Sequence, residues 1–325
     1  MLIRRPKGYV LKDNDVTPQP SYLRRREFLA AFVAAGGTLA LPNAAQAKRF
    51  SQTDYAPLTG HKTGYSVKDP LSPWEAVTTY NNYYEFGTGK ADPAKKAHKL
   101  ITDPWTVTVE GEADKTGTYA LEDLIDYNAL EERIYRHRCV EAWSMVIPWV
   151  GVPLADVLKK FAPNSRAKYV QFFTKYSRKE MPGTFWPVLD WPYREGLRMD
   201  EALNPLPFLA VGVYGRVLPN QNGAPLRLVV PWKYGYKSIK SIDRIGFSET
   251  MPETSWNQSN AREYGFYSNV NPLVEHPRWS QASERVIGPQ RGFAGALARR
   301  DTEMFNGYGD AVATLYAGMD LHKNH

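Results

Sequence analysis

The chain has 325 residues, of which 43% are hydrophobic and 13% aromatic, with 9 Trp and 20 Tyr. A chain of this size can bury a substantial core, and this composition excludes an intrinsically disordered protein. The formal net charge is +7, but residues 1–47 carry seven Lys or Arg and three Asp or Glu, so the remainder carries +3. The basic balance therefore gives no support for nucleic acid as a partner.

The first 47 residues have the layout of an export signal. A basic cluster at Arg24 to Arg26 precedes a short apolar run from Phe28 to Leu41, and small residues surround Gln46. This order predicts a signal peptide cleaved after residue 47. The apolar run is too short and too rich in Gly and Ala to predict a membrane-spanning helix, which needs about 20 strongly apolar residues.

Within that signal, Arg25 and Arg26 are followed by Glu-Phe-Leu and resemble the twin-arginine export motif. The alternative is an ordinary signal peptide with a basic start. The twin-arginine route carries folded bacterial proteins out of the cytoplasm, often with a cofactor already inserted. We therefore expect a periplasmic protein that does not itself span the membrane, and a bound cofactor.

The remainder is predicted to begin with an irregular arm. Residues 48–103 are rich in Pro, Gly, Asn, Thr and Tyr, show little periodicity and contain the stretch NNYYEFG. The catalytic domain is expected over 104–325. Its first strand is predicted over 104–111, where apolar and polar residues alternate. A helix is predicted over 118–127, with Thr118 as its candidate N-cap.

Further elements follow in the same domain. A strand is predicted over 132–141, and residues 152–163 predict an amphipathic helix with Leu154, Val157, Leu158 and Phe161 on one face. The remaining predicted elements are strands over 168–173, 207–215, 224–232 and 237–249 and a short helix over 310–321. Short strands mixed with a few helices predict a single-domain α+β fold rather than regular βαβ repeats.

The only cysteine, Cys139, lies in the stretch YRHRCVEAWS. A free thiol is a liability for an exported protein, because the compartment is oxidising. The neighbouring Arg136, His137 and Arg138 are expected to lower the thiol pKa and favour the thiolate, which is the nucleophile and the metal ligand. Strand alternation places His137 with Cys139 on one face and the two arginines on the other. A small buried side chain is the alternative.

A second region suggests a site for an anionic cofactor. Asn222-Gly223 is followed by Arg227, and lysines surround Gly235. A hairpin turn with a solvated lysine face explains the same composition. The chain contains no Walker motif, no G-x-G-x-x-G, no H-E-x-x-H and no C-x-x-C, so common nucleotide and zinc sites have no support.

Four stretches together carry a resemblance to a known family. They are NNYYEFGTGKADPA, LEERIYRHRCVEAWSMVIPWVGVPL, PNQNGAPLRLVVPWKYGYKSIKSI and EYGFYSNVNPLVEHPRWSQASER. With the twin-arginine leader, they resemble the catalytic subunits of periplasmic protein-methionine-sulfoxide reductases, the MsrP family. The resemblance implies the sulfite oxidase fold, a mixed, barrel-like α+β domain that binds one Mo-molybdopterin, with one molybdenum per chain and no attached nucleotide.

The resemblance also implies site residues. In the family the cysteine of the RCVEAWS motif binds molybdenum, which corresponds here to Cys139 as metal ligand and catalytic residue. The pterin-contacting positions of the family correspond here to Asn81, Tyr84, Glu85, Thr174, Asn222, Arg227, Ser238, Ile239 and Lys240. The family often has glycine where this chain has Ser238.

The activity that the resemblance implies is reduction of methionine sulfoxide in oxidised periplasmic proteins by oxygen-atom transfer to molybdenum. Electrons are implied to come from a membrane-embedded haem-binding subunit, MsrQ, which draws on quinol. One alternative is a sulfite-oxidising dehydrogenase of the same fold, for which Arg136 and Arg138 are candidate cationic groups. Another is a non-enzymatic periplasmic binding protein without a metal. Glu141, His137 and Tyr84 are candidate proton donors.

Overall fold

The computed structural model describes residues 51–289 and 298–324, so the predicted signal peptide lies outside the described residues. The strands are β1 (His61–Lys62), β2 (Thr106–Gly111), β3 (Gly117–Ala120), β4 (Glu131–Cys139), β5 (Trp143–Pro153), β6 (Tyr169–Thr174), β7 (Arg194–Arg198), β8 (Phe208–Val213), β9 (Arg216–Val217), β10 (Arg227–Val229), β11 (Ile242–Ser248), β12 (Ser283–Val286) and β13 (Arg299–Asp301). The α-helices are α1 (Trp74–Thr79), α2 (Asp92–Lys96), α3 (Leu121–Leu124), α4 (Leu154–Lys160), α5 (Met199–Ala202), α6 (Ser255–Ser259) and α7 (Gly309–Val312).

The larger sheet has eight strands and is built around the antiparallel hairpin of β4 and β5. The register of this hairpin runs from Glu131 opposite Gly151 to Cys139 opposite Trp143. The other edge of β5 pairs with β12 in parallel at its start and with β8 in antiparallel at its end. The end of β4 that carries Cys139 is thus joined by a tight turn to β5, which pairs with three other strands.

The smaller sheet has five strands in the order β3-β2-β11-β6-β7. Strands β2 and β11 pair in parallel, and the other neighbours are antiparallel. Apolar side chains of both sheets, such as Val107, Phe172, Trp149 and Leu209, belong to one continuous core. Two mixed sheets with few, short helices confirm the predicted α+β class.

The predicted helix over 118–127 is wrong except for its four residues 121–124. Residues 117–120 form strand β3, which pairs with β2, and only Leu121–Leu124 are helical. Thr118 does not cap the helix, because its hydroxyl lies 3.2 Å from the hydroxyl of Thr108 across the two strands. Leu121 and Leu124 still face the core. The sheet partner therefore overrides the local helical spacing.

The other predicted elements are present with adjusted bounds. Helix α4 buries all four predicted apolar side chains, and Pro153 is its N-cap residue. The strand predicted over 224–232 is reduced to β10, and the helix predicted over 310–321 consists of α7 and a 3-10 turn over Ala313–Tyr316. Strand β5, the longest strand among the described residues, was not predicted, although 10 of its 11 residues are buried.

The segment before β2 is only partly irregular. It contains the short strand β1, helices α1 and α2, and a 3-10 turn over Tyr84–Phe86. Val77 of α1 and Phe86 of the turn are buried in the common core. The stretch NNYYEFG is therefore packed onto the domain. Among the described residues, no helix is long and apolar enough to cross a membrane.

Candidate active site

A cavity of about 410 Å³ lies where the β4–β5 turn meets the stretch NNYYEFG. All ten residues that the resemblance implies line it, namely Asn81, Tyr84, Glu85, Cys139, Thr174, Asn222, Arg227, Ser238, Ile239 and Lys240. They come from positions up to 159 residues apart in sequence. The structure therefore brings these residues together around one space.

The β4–β5 turn sets the position of Cys139. Strand β4 ends at Cys139, and the chain reverses through Ala142, whose φ is 59° and whose N–H donates to the carbonyl of Cys139 at 3.1 Å. The Sγ atom accepts hydrogen bonds from the backbone N–H of Glu141 at 3.4 Å and from Asn82 Nδ2 at 3.5 Å. As strand alternation predicts, His137 also lines the cavity, whereas the two arginines do not.

The expectation that neighbouring cations lower the thiol pKa is wrong for the protein alone. Burial raises the pKa of Cys139 to about 12, and the carboxylate of Glu141 adds to this rise. Arg138 offsets it only in part, because its guanidinium is engaged on the opposite face of β4 with Glu284. A metal cation bound at Sγ would stabilise the thiolate, since a coordinating thiol is deprotonated outright.

A polar cluster surrounds the thiol. The carboxylate of Glu141 accepts hydrogen bonds from Asn82 Nδ2 at 3.1 Å, from Trp143 Nε1 at 3.0 Å and from Lys90 Nζ at 2.8 Å. Burial alone would raise the pKa of Glu141, but these three donors hold the pKa below its usual value. A carboxylate and an ammonium group are therefore fixed close to Cys139 Sγ.

Glu141 was a predicted candidate proton donor, but its three hydrogen-bond partners were not predicted. Asn82 and Lys90 belong to the stretch NNYYEFGTGK, in which only Asn81, Tyr84 and Glu85 were singled out. Trp143 is the first residue of β5. The density of polar and aromatic residues in NNYYEFGTGK and around the start of β5 could have indicated these partners.

Arg227, which is buried, and Lys240, which is half-buried, also line the cavity. Arg227 donates to the carbonyls of Asn222 at 2.9 Å and Ser238 at 3.0 Å, and Lys240 donates to the carbonyl of Asn82 at 2.8 Å. Burial lowers the pKa of both groups, that of Arg227 to about 9. Neither forms an ion pair with a carboxylate among the described residues. An anionic ligand compensates such charges, because a buried unpaired charge is costly.

Two amides supply acceptors next to these cations. Asn81 Nδ2 and Asn222 Nδ2 both donate to the carbonyl of Val77 at 2.8 Å. Within the described part of the chain, the Oδ1 atoms of both amides are buried without a hydrogen-bond partner. Buried acceptors rarely stay unsatisfied in native proteins. They fit the N–H groups of a heterocycle, so the residues present fit an anionic pterin cofactor.

The other predicted cofactor residues form part of the cavity wall. Thr174 Oγ1 donates to the carbonyl of Lys240 at 2.8 Å, and Ser238 Oγ accepts the backbone N–H of Val230 at 3.1 Å. The backbone of Ser238 is also engaged, since its N–H donates to the carbonyl of Gly235 at 3.1 Å and its carbonyl accepts from Arg227. Burial raises the pKa of Glu85, and Lys240 opposes this rise.

Two candidate proton donors have strongly perturbed pKa values. Burial, with Arg227 and Lys240 nearby, lowers the pKa of His137 to about 3, and its imidazole packs against the Cα of Gly235. Burial, with Glu141 nearby, raises the pKa of Tyr84 to about 12. At neutral pH the imidazole is therefore uncharged and the phenol keeps its proton.

The chain matches a family model and several known proteins. The model described as "Oxidoreductase molybdopterin binding domain" matches residues 94–256. Three similar proteins, each named "Protein-methionine-sulfoxide reductase catalytic subunit MsrP", come from Pseudomonas syringae pv. tomato, Ralstonia nicotianae and Burkholderia mallei. They are 52%, 52% and 51% identical to this chain, over 100%, 98% and 99% of it and 100%, 97% and 99% of their own lengths.

A solved structure is more distantly similar. The sulfane dehydrogenase SoxCD from Paracoccus pantotrophus is 15% identical, with a TM-score of 0.43, over 82% of this chain and 68% of that chain. At this level the similarity carries no conclusion about activity.

Proposed function

The chain belongs to the MsrP family of protein-methionine-sulfoxide reductase catalytic subunits, and from this membership we propose that it reduces methionine sulfoxide in oxidised periplasmic proteins back to methionine. It is an oxidoreductase whose cofactor is Mo-molybdopterin. The observation that carries the proposal is the position of Cys139, which lines the same cavity as Arg227 and Lys240. Cys139 is the proposed protein ligand of molybdenum.

The reaction consumes two electrons and two protons, since the sulfoxide becomes a thioether and its oxygen leaves as water. When bound, the molybdenum cofactor supplies this two-electron oxygen-atom transfer. This chain's residues would hold the cofactor: Arg227 and Lys240 would compensate its anionic groups, and the unpartnered Oδ1 atoms of Asn81 and Asn222 would accept from its pterin. The protein thereby fixes the reacting atoms relative to the incoming side chain.

The Lys90 ammonium group and its hydrogen-bond partners can hold protons near the thiol. Lys90 carries an ammonium group hydrogen-bonded to both Asn82 Oδ1 and Glu141 Oε1. About a quarter of the Lys90 side chain is exposed, so the cluster reaches solvent. This arrangement links bulk water to the surroundings of Cys139, which suits a reaction that takes up protons.

The proposal includes where the protein works and how it is reduced. Export folded through the twin-arginine pathway places it in the periplasm, as the leader at Arg25 and Arg26 indicates. Electrons then come from the membrane-embedded haem-binding subunit MsrQ, which draws them from quinol. Oxidised periplasmic proteins are the substrates.

The sulfite-oxidising alternative loses its main support in the structure. Arg136 pairs with Asp69 and Glu303, and Arg138 pairs with Glu284, so neither guanidinium lines the cavity. The carboxylate of Glu141, in contrast, lies 3.7 Å from Sγ. A carboxylate at this position disfavours a sulfite dianion, although Lys90 pairs with it and Arg227 and Lys240 also line the cavity.

The test uses natively exported protein and two measurements. Elemental analysis is expected to find about one molybdenum per chain, and with a reduced viologen as donor the protein is expected to reduce a peroxide-oxidised protein. The Cys139→Ala variant is expected to lose this activity and most of its molybdenum, because the thiolate is the proposed protein ligand. Sulfite turnover without sulfoxide reduction, or full activity of Cys139→Ala, contradicts the proposal.

A further inference from the structure

An apolar rim borders the cavity on one side. We define it as Phe185, Trp186 and Val188, three residues in the loop between β6 and β7. Phe185 and Trp186 are 62% and 70% exposed, and Val188 is both exposed and part of the cavity lining. The exposed apolar surface is therefore continuous with the cavity that contains Cys139. Such clustered exposure on a folded protein marks a contact surface.

The loop is held firmly while its side chains face solvent. A 3-10 turn over Pro182–Phe185 packs against Tyr84–Phe86 so closely that a Cβ on Gly183 would overlap the carbonyl of Tyr84. Thr184 Oγ1 donates to the carbonyl of Met181 at 2.7 Å, and Trp191 Nε1 donates to the carbonyl of Trp186 at 3.2 Å. A surface held in this way loses little conformational freedom on binding.

The size of the cavity limits how much of a polypeptide substrate can enter it. A space of about 410 Å³ that also holds the cofactor has room for one substrate side chain. The backbone and neighbouring residues of a polypeptide substrate must then lie outside, against the border of the cavity. Oxidation converts a buried, apolar methionine into a polar sulfoxide and disrupts the core around it. The core residues that packed against the methionine are apolar, and disruption of the core exposes them together with the sulfoxide.

We propose that the apolar rim is the docking surface for an unfolded, extended segment of an oxidised protein, in which apolar residues flank the methionine sulfoxide. This inference rests on the proposed function and adds its recognition surface. Docking on Phe185 and Trp186 selects damaged, locally unfolded polypeptides over intact ones. A free methionine sulfoxide has no flanking residues and makes no use of the rim.

The experiment compares two substrates in the molybdenum-loaded enzyme with reduced methyl viologen as donor. The Phe185→Ser, Trp186→Ser double variant is measured with peroxide-oxidised β-casein, an unfolded protein, and with N-acetylmethionine sulfoxide. We expect kcat/KM for oxidised casein to fall at least 10-fold, mainly through KM, and kcat/KM for the small sulfoxide to change less than 2-fold. Leu203→Ser is the matched control, because Leu203 is an exposed apolar residue that does not line the cavity.

The other outcomes are distinguishable. Equal kcat/KM values for oxidised casein in the double variant and the wild type contradict the proposal that the rim binds the substrate. A parallel loss with both substrates contradicts it as well. A rate that falls only when the haem-binding membrane subunit supplies the electrons, for both sulfoxides alike, assigns the rim to that subunit and overturns substrate docking. A molybdenum-loaded wild type that reduces neither sulfoxide contradicts the proposed function itself.

Discussion

The guanidinium of Arg138 holds the backbone carbonyl of its neighbour Cys139 from the opposite face of β4, by a hydrogen bond from Nη1. Arg138 is fully buried, and its Nε donates to Glu284 Oε2 at 2.6 Å. Its Nη2 also donates to Gln281 Oε1 at 2.9 Å. The position of the thiol therefore depends on an ion pair between β4 and β12.

We expect Arg138→Met to destabilise the fold and disturb the molybdenum site together. Removing one partner of a buried ion pair costs about 3–5 kcal/mol, although Arg300 still pairs with Glu284 and reduces this loss. Urea unfolding measures the stability, and the Mo(V) electron paramagnetic resonance spectrum of molybdenum-loaded protein reports the site. An unchanged spectrum in a folded variant would show that Arg138 does not position Cys139.

The residues that the resemblance implies do line one cavity, but the sequence did not predict the electrostatics around them. Arg138 is next to Cys139 in the chain, which suggested a lowered thiol pKa. In the fold it faces away and is neutralised by Glu284, whereas Glu141 faces the thiol. Charge effects depend on distance through space, and a one-residue step along a strand changes the face. Which charged group affects the thiol pKa therefore depends on the folded arrangement.

The strands that were missed have a similar physical cause. Strand β5 is buried on both faces, so it shows a continuous apolar run instead of alternation. The stretch over 117–120 forms a strand because β2 offers backbone hydrogen bonds, although its residues begin a helical pattern. In contrast, helix α4 was predictable because one of its faces alone enters the core. Local periodicity thus identifies elements with one buried face and fails for the others.

We expect Asn81→Ala to lose cofactor without a large loss of stability. The carbonyl of Val77 keeps its second donor, Asn222 Nδ2, so the free energy of unfolding should fall by only about 1 kcal/mol. The unpartnered Oδ1 of Asn81 disappears, so retention of the pterin should fall. Retention is measured as the fluorescent oxidation product of the extracted pterin. Full retention would mean that this oxygen does not bind the cofactor.

The double variant Asn81→Ala, Asn222→Ala is the control for this prediction. It removes both side-chain donors to Val77 and should destabilise the protein more than the sum of the single changes, because a buried carbonyl then lacks these partners. Strict additivity would show that the shared carbonyl does not couple the two amides.

We expect Gly235→Ala to reduce cofactor loading through His137. A Cβ at this position would overlap Cε1 and Nε2 of the imidazole, so the ring would have to move. Because His137 lines the cavity, this movement would change the space for the cofactor. Overpacking of this kind costs about 1–3 kcal/mol. Gly64→Ala is the matched control, because nothing lies within 4 Å of its Cβ position. Molybdenum per chain should fall in the first variant only, and equal loading in both would refute the steric argument.

The last prediction concerns how the segment before β2 is attached to the domain. Asp69 accepts hydrogen bonds from Arg136 Nε at 3.0 Å and from Arg300 Nη1 at 2.6 Å. Burial raises the pKa of Asp69, but the two guanidinium groups outweigh it and hold the pKa below the ordinary value of 3.8. A depressed pKa in the folded state stabilises the fold above the unfolded-state pKa, and this contribution is lost as the pH falls through the folded-state value.

Asp69→Asn should therefore lower the free energy of unfolding by about 1 kcal/mol at pH 7 and pH 5. The difference from the wild type should shrink below about pH 4, where the carboxyl of the wild type takes up its proton. Urea unfolding at each pH measures it. Asp156→Asn, which breaks an exposed contact with Lys159, is the control and should have little effect at any pH. A difference that persists undiminished under acid conditions would mean that the charge of Asp69 does not attach this segment to β4 and β13.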